Sequence, residues 1–138
     1  MPRTHFHSRL IAFGTFAFTG IALAHHTYSM FDTKRELSVS GVVAKFEWKN
    51  PHAYLWVYVP STTNAGKYDA WAFENGSPSV LSSLGWSKES VKPNDKITIT
   101  YAPLRDGRPG GHCLKITLSS GRSLECVGFG PGPAAASR

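Results

Sequence analysis

The chain has 138 residues, a net charge of +6 with neutral histidines, and two cysteines, Cys113 and Cys126. That length holds one domain with little room for a second. The lysines and arginines are scattered rather than run together. This mild basicity fits weak attraction to anionic surfaces, and no nucleic acid is expected as a partner.

Residues 1–24 read as a secretory signal. Arg3 and Arg9 supply a basic start, Leu10 to Ala24 is an apolar run, and Ala22-Leu23-Ala24 is a small-residue cleavage site. The run is too short to span a bilayer comfortably and contains Gly14 and Gly20. Cleavage after Ala24 is therefore expected, with an uncleaved signal anchor as the alternative. No other segment approaches membrane-spanning length, so no span is expected in the processed form. The processed chain has 114 residues and begins with His25-His26. Its expected location is the periplasm or the extracellular space.

Residues 25–35 form a polar lead-in with three hydrophobic anchors, Tyr28, Met30 and Phe31. Leu37 to Trp48 is the first predicted strand. Its apolar alternation changes phase, with Leu37 and Val39 on one face and Val42, Ala44, Phe46 and Trp48 on the other. The switch is read at Gly41, as a bulge or bend. Lys49-Asn50-Pro51-His52 connects to the second strand. There Ala53, Leu55, Val57 and Val59 form an aliphatic face, and Tyr54, Trp56 and Tyr58 an aromatic one, in strict period two. Tyr68 to Glu74 is the third strand, with Trp71 and Phe73 in the core.

A short helix follows, with Ser77 as N-cap, Pro78 at the first helical position, Val80, Leu81 and Leu84 as its apolar face and Gly85 as its stop. Trp86 is expected to plug the core. The fourth strand alternates Ile97, Ile99 and Tyr101 with threonines. Pro103 to Gly111 is a long glycine-rich loop. His112 to Leu118 and Arg122 to Val127 close as a hairpin, and residues 128–138 are expected to be a disordered tail. A long bent first strand with a helix between strands three and four predicts an all-β, OB-like antiparallel barrel over residues 25–127. Another small antiparallel barrel or sandwich is the alternative.

In the predicted closing hairpin, Leu118 pairs with Arg122 and Ile116 with Leu124. Strict alternation then puts the Cys113 and Cys126 side chains on opposite faces, which opposes a bond between them. A bulge would restore the pairing, and the oxidising compartment allows it. The sequence leaves both states open.

Several segments taken together are distinctive: AHHTYSMFD at 24–32, FEWKNPHAYLWV at 46–57, WAFENGSP at 71–78, KPNDKITITYAPLRDGRPGG at 92–111 and LSSGRSL at 118–124. They resemble a family of small exported bacterial proteins described only as a domain of unknown function. The resemblance covers nearly the whole processed chain and implies export and a compact β-domain. The family pattern has a His-His pair and Asn-Pro-His, which map onto His25, His26, Asn50, Pro51 and His52. A histidine at position 112 is not a regular part of it.

One constellation carries the most concrete chemistry. Cleavage before His25 would free an α-amine beside its imidazole, a bidentate nitrogen chelate. His26 and His52 are further donors, and imidazole and amine nitrogens suit Cu(II). Met30 is a soft donor nearby in sequence. The opposing interpretation is an arbitrary terminus that binds copper adventitiously. A second constellation is a binding surface of Tyr54, Trp56 and Tyr58 for an envelope partner; these rings otherwise pack beneath another segment of the chain. Arg105, in the glycine-rich loop, is a candidate anion contact or else part of a tight turn paired to a carboxylate. Glu47, Asp69, Glu74 and Asp106 are the acid–base candidates, and no spacing in the sequence pairs them or supplies a nucleophile. Non-catalytic binding is therefore the expected role. A structural or accessory module is the alternative, and a copper-dependent oxidase the third reading.

Overall fold

The computed structural model describes residues 28–126. The expected signal segment, His25, His26 and the expected tail lie outside the described residues. A single 3-10 turn, Tyr28–Met30, leads into β1 (Leu37–Glu47), β2 (Tyr54–Pro60), β3 (Tyr68–Glu74), α1 (Pro78–Ser83), β4 (Lys96–Pro103), β5 (Gly110–Leu118) and β6 (Ser123–Glu125).

The sheet order is β3-β2-β1-β4-β5-β6, and a parallel pairing of β3 with β5 closes strands one to five into a barrel. This is the OB-like arrangement expected from the pattern of elements. Period two in β2 translates directly into burial: Leu55, Val57 and Val59 are buried, while Trp56 and Tyr58 point outward. Phe73, Ile99, Tyr101 and Ile116 fill the barrel from the other strands, and Leu81 of the helix and Trp86 close one end. The helix has the predicted cap, with the Ser77 hydroxyl accepting from the Val80 N–H. Trp86 donates its indole N–H to the Glu125 carbonyl at 2.7 Å.

The phase change in β1 is real, but its position differs from the sequence reading. Val43 is buried and faces Val57, Lys45 faces Trp56, and Ala44 is the extra residue of a bulge. Val42 therefore lies on the outer face. Gly41 serves a different purpose. A methyl group there would sit 2.5 Å from a Val57 methyl carbon and 2.6 Å from the Tyr58 carbonyl oxygen. The glycine permits close approach of β1 to β2, and the bend comes three residues later.

The loop before β5 is also shorter than expected. Gly110 and Gly111 pair with Ala72 and Phe73 in the barrel closure. Gly110 has φ +123°, and a side chain there would collide with the Ala72 backbone. Glycines assigned to the loop in the sequence let two strands meet.

A second bulge decides the cysteine question. Thr100 faces Lys115 and Tyr101 faces Cys113, so Leu114 is the extra residue of β5. It reverses the face of Cys113 and turns it to Cys126, which is disulfide-bonded to it with a Cα–Cα separation of 5.7 Å.

The segment ahead of β1 is strapped to the β4–β5 connection. Phe31 is buried and bridges Leu104. The Asp32 N–H donates to the Pro103 carbonyl at 2.8 Å, and the Arg105 N–H to the Met30 carbonyl at 2.9 Å. Burying the Phe31 ring contributes about 1.5–3 kcal/mol to holding this strap. It fixes where the chain enters the domain.

Candidate functional site

The β1–β2 loop is pinned to the end of β3 by two backbone bonds. The Ala53 N–H donates to the Gly76 carbonyl at 3.0 Å and the Asn75 N–H to the Ala53 carbonyl at 2.9 Å. Tyr54 and Glu74 are direct partners across β2 and β3. These constraints bring three side chains together. Glu74, only 7% exposed, receives His52 Nδ1 at 2.9 Å on one carboxylate oxygen and the Tyr54 hydroxyl at 2.9 Å on the other. Burial, and then donation to the Glu74 carboxylate, push the Tyr54 phenol up to about 12. It stays a hydrogen-bond donor through the neutral range.

Glu74 is also the β3–β5 register partner of His112. The His112 ring is buried, edge-on to Tyr28 with centroids 5.6 Å apart and tilted against Phe31 at 5.4 Å. A pocket of about 190 Å³ opens here, with Tyr28, His52, Glu74, Asn75 and His112 among its walls. Asn75 is fully buried; its amide nitrogen contacts Cys126 Sγ at 3.5 Å and its oxygen accepts from the Gly76 N–H. The disulfide thus lies just behind the pocket wall.

On the far side of Glu74 a second hollow of about 140 Å³ is lined by Met30, Tyr54 and Arg108. Met30 therefore lies in this second hollow, away from the walls that His52 shares. Glu47, at the mouth of the β1–β2 loop, accepts from Lys45 at 2.6 Å and Lys49 at 2.5 Å. Those two ammonium groups, Lys45 first, hold its carboxyl down at about 2.

The other sequence candidates separate from this cluster. Trp56 and Tyr58 are 38% and 50% exposed, and Tyr68 beside them is 61% exposed. With Val42, Tyr58 and Tyr68 line an apolar hollow of about 350 Å³ on the outer face of the sheet. The packing expected to cover these rings is not found among the described residues. Among the described residues Arg105 has no carboxylate partner. Its Nε donates to the Ser29 carbonyl at 3.1 Å, so it holds the strap, while Asp106 pairs with Arg108 at 2.7 Å. A backbone N–H from Arg108, and after it that side-chain contact, lower the Asp106 carboxyl.

Glu74 stood in the sequence only as an acid–base candidate without a partner, and Asn75, near the Ser77 helix cap, was not singled out. A signal for Glu74 was present. A β2–β3 hairpin that pairs Pro60 with Tyr68 places Tyr54 opposite Glu74. His112 joins them only through the parallel closure of the barrel, which leaves no local trace in the chain.

A family model described as a family of unknown function, DUF6152, matches residues 15–113. The chain belongs to this family. The DUF6152 match spans His25, His26, His52, Glu74 and His112. No curated protein and no solved structure matches the chain. Among the described residues no helix is long and apolar enough to cross a membrane. Nor is any group of three or more His, Cys, Asp or Glu residues among them arranged to hold a metal ion.

Proposed function

We propose that this DUF6152 protein is an exported Cu(II)-binding protein whose site is the α-amine and ring of His25, with His26 and His52. The observation that carries the reading is the position of Tyr28, in the wall of the same pocket as His52. An extended chain advances about 3.3–3.6 Å per residue. His26 is two residues and His25 three residues ahead of Tyr28, so chain length limits their backbones to at most about 7 and about 11 Å from it. Both are within range of a pocket whose walls already hold two imidazoles, His52 and His112. The donors are nitrogen, as Cu(II) prefers, and His52 is about one-third exposed.

The test is a Cu(II) titration of the chain starting at His25 against one carrying an extra alanine before it. The blocked amine is expected to bind more weakly. Equal affinities would reduce the binding to adventitious capture by surface histidines. Mass spectrometry of the naturally exported protein checks the premise, since any start other than His25 removes the chelate.

The exposed Trp56, Tyr58 and Tyr68 favour a second reading, an accessory module that docks an envelope partner on its outer sheet. Cross-linking through a photoreactive residue at position 58 in intact cells separates the two: a single specific adduct supports docking, and none removes it. The copper oxidase reading adds a requirement for oxygen activation and follows only if the copper site is real.

A further inference from the structure

The copper reading says which residues bind but not which nitrogen of His52 does so. A neutral imidazole has one N–H and one lone pair, and the partner of one nitrogen fixes the role of the other. His52 Nδ1 lies 2.9 Å from Glu74 Oε1. With the carboxyl oxygen as acceptor, this contact assigns the N–H to Nδ1. The second carboxylate oxygen is held by the Tyr54 hydroxyl at 2.9 Å. Glu74 itself stands at the end of a strand paired on both sides, to Tyr54 and to His112, and so has little freedom to swing away.

We propose that Glu74, braced by Tyr54, is a positioning residue that locks His52 as the Nδ1–H tautomer and presents Nε2 as the donor nitrogen. The proposal rests on the reading of His52 as a ligand, but it makes a statement about the metal-free protein that stands apart from copper. Buried carboxylates behind a ligating imidazole raise its basicity and fix its ring plane. The same orientation would select a ligand that meets the ring through its far nitrogen.

Long-range ¹⁵N spectra of the metal-free chain starting at His25, at a pH where the ring is neutral, read the tautomer directly. That chain retains every strand and the helix. The wild type is expected to show a protonated Nδ1 and an unprotonated Nε2. Glu74→Ala is expected to move His52 to the Nε2–H form that free histidine favours. Because removing a buried group can unfold the domain, Glu74→Gln is the companion: its amide oxygen still accepts from Nδ1–H, so the native tautomer should persist. Tyr54→Phe should keep the tautomer and broaden the ring signals. A wild-type ring protonated on Nε2, or a folded Glu74→Ala protein with an unchanged tautomer, overturns the proposal.

Cu(II) titration then separates the two claims. Loss of an outer partner of this kind typically costs about 10–100-fold in metal affinity, and Glu74→Ala should fall in that range. If the tautomer shifts as expected while blocking the amine leaves copper affinity unchanged, the positioning role stands and the copper reading falls.

Discussion

Replacing Gly41 with alanine should destabilise the domain although the residue sits in an ordinary strand of good β geometry. On propensity alone the change is favourable by about 0.5–1 kcal/mol, because glycine loses more conformational freedom on folding. The contacts oppose it. The new methyl group would lie 2.5 Å from a Val57 methyl carbon and 2.6 Å from the Tyr58 carbonyl oxygen. The valine can shift its rotamer only within a filled barrel, and the carbonyl is part of β2 and cannot turn aside. Overpacking of this kind costs about 1–3 kcal/mol, with backbone displacement at the upper end. Taking about 3 kcal/mol for the contact and subtracting about 0.5–1 leaves a net loss of about 2 kcal/mol. For a domain of roughly 100 residues each kcal/mol moves the midpoint by about 4–8 °C, so Tm should fall by roughly 8–16 °C. Thermal unfolding followed by circular dichroism, with urea unfolding as a check on the slope, measures it. An alanine variant as stable as the parent, or more so, would refute the close approach of β1 to β2.

Opening the disulfide should cost about 3 kcal/mol, the loop-entropy value for a cross-link spanning 13 residues; urea midpoints with and without reductant, or in a Cys113→Ala/Cys126→Ala variant, test it, and unchanged midpoints would contradict the bond. The Glu47 carboxyl should titrate near 2 by carbon NMR, and Lys49→Met should raise its midpoint. Its folded value is depressed, so its stabilising contribution is complete above the ordinary carboxylate range and is lost as pH falls through about 2. Tyr101 is raised by burial, with Arg35 opposing. The unfolded phenol therefore ionises first, and stability should decline above about pH 10; wild-type and Tyr101→Phe proteins losing stability equally over that range would contradict that burial.

Local features of this chain were legible because their causes are local. The period-two pattern of β2, the Ser77-Pro78 helix start and the Leu118–Arg122 hairpin all follow from neighbouring residues. Both bulges were harder. A bulge is a relation between two strands, so Ala44 and Leu114 carry no mark of their own, and Gly41 attracted the assignment that belonged to Ala44. The same limit applied to the site. His52 and Tyr54 stood out as residue types, but their meeting at Glu74 depends on hairpin register, and His112 arrives through a parallel pairing between strands separated by a helix and a strand. Gly110 and Gly111 were read as loop for the same reason: their partner strand is distant in sequence.

The central claim is that an N-terminal imidazole and amine share a metal with His52. Pulsed EPR of the Cu(II)-loaded chain starting at His25 counts the coordinated imidazoles through their remote nitrogens. The account predicts that His52→Ala removes one of them while the domain stays folded. Identical spectra for the two proteins would show that copper never meets the barrel, and the shared site would be gone.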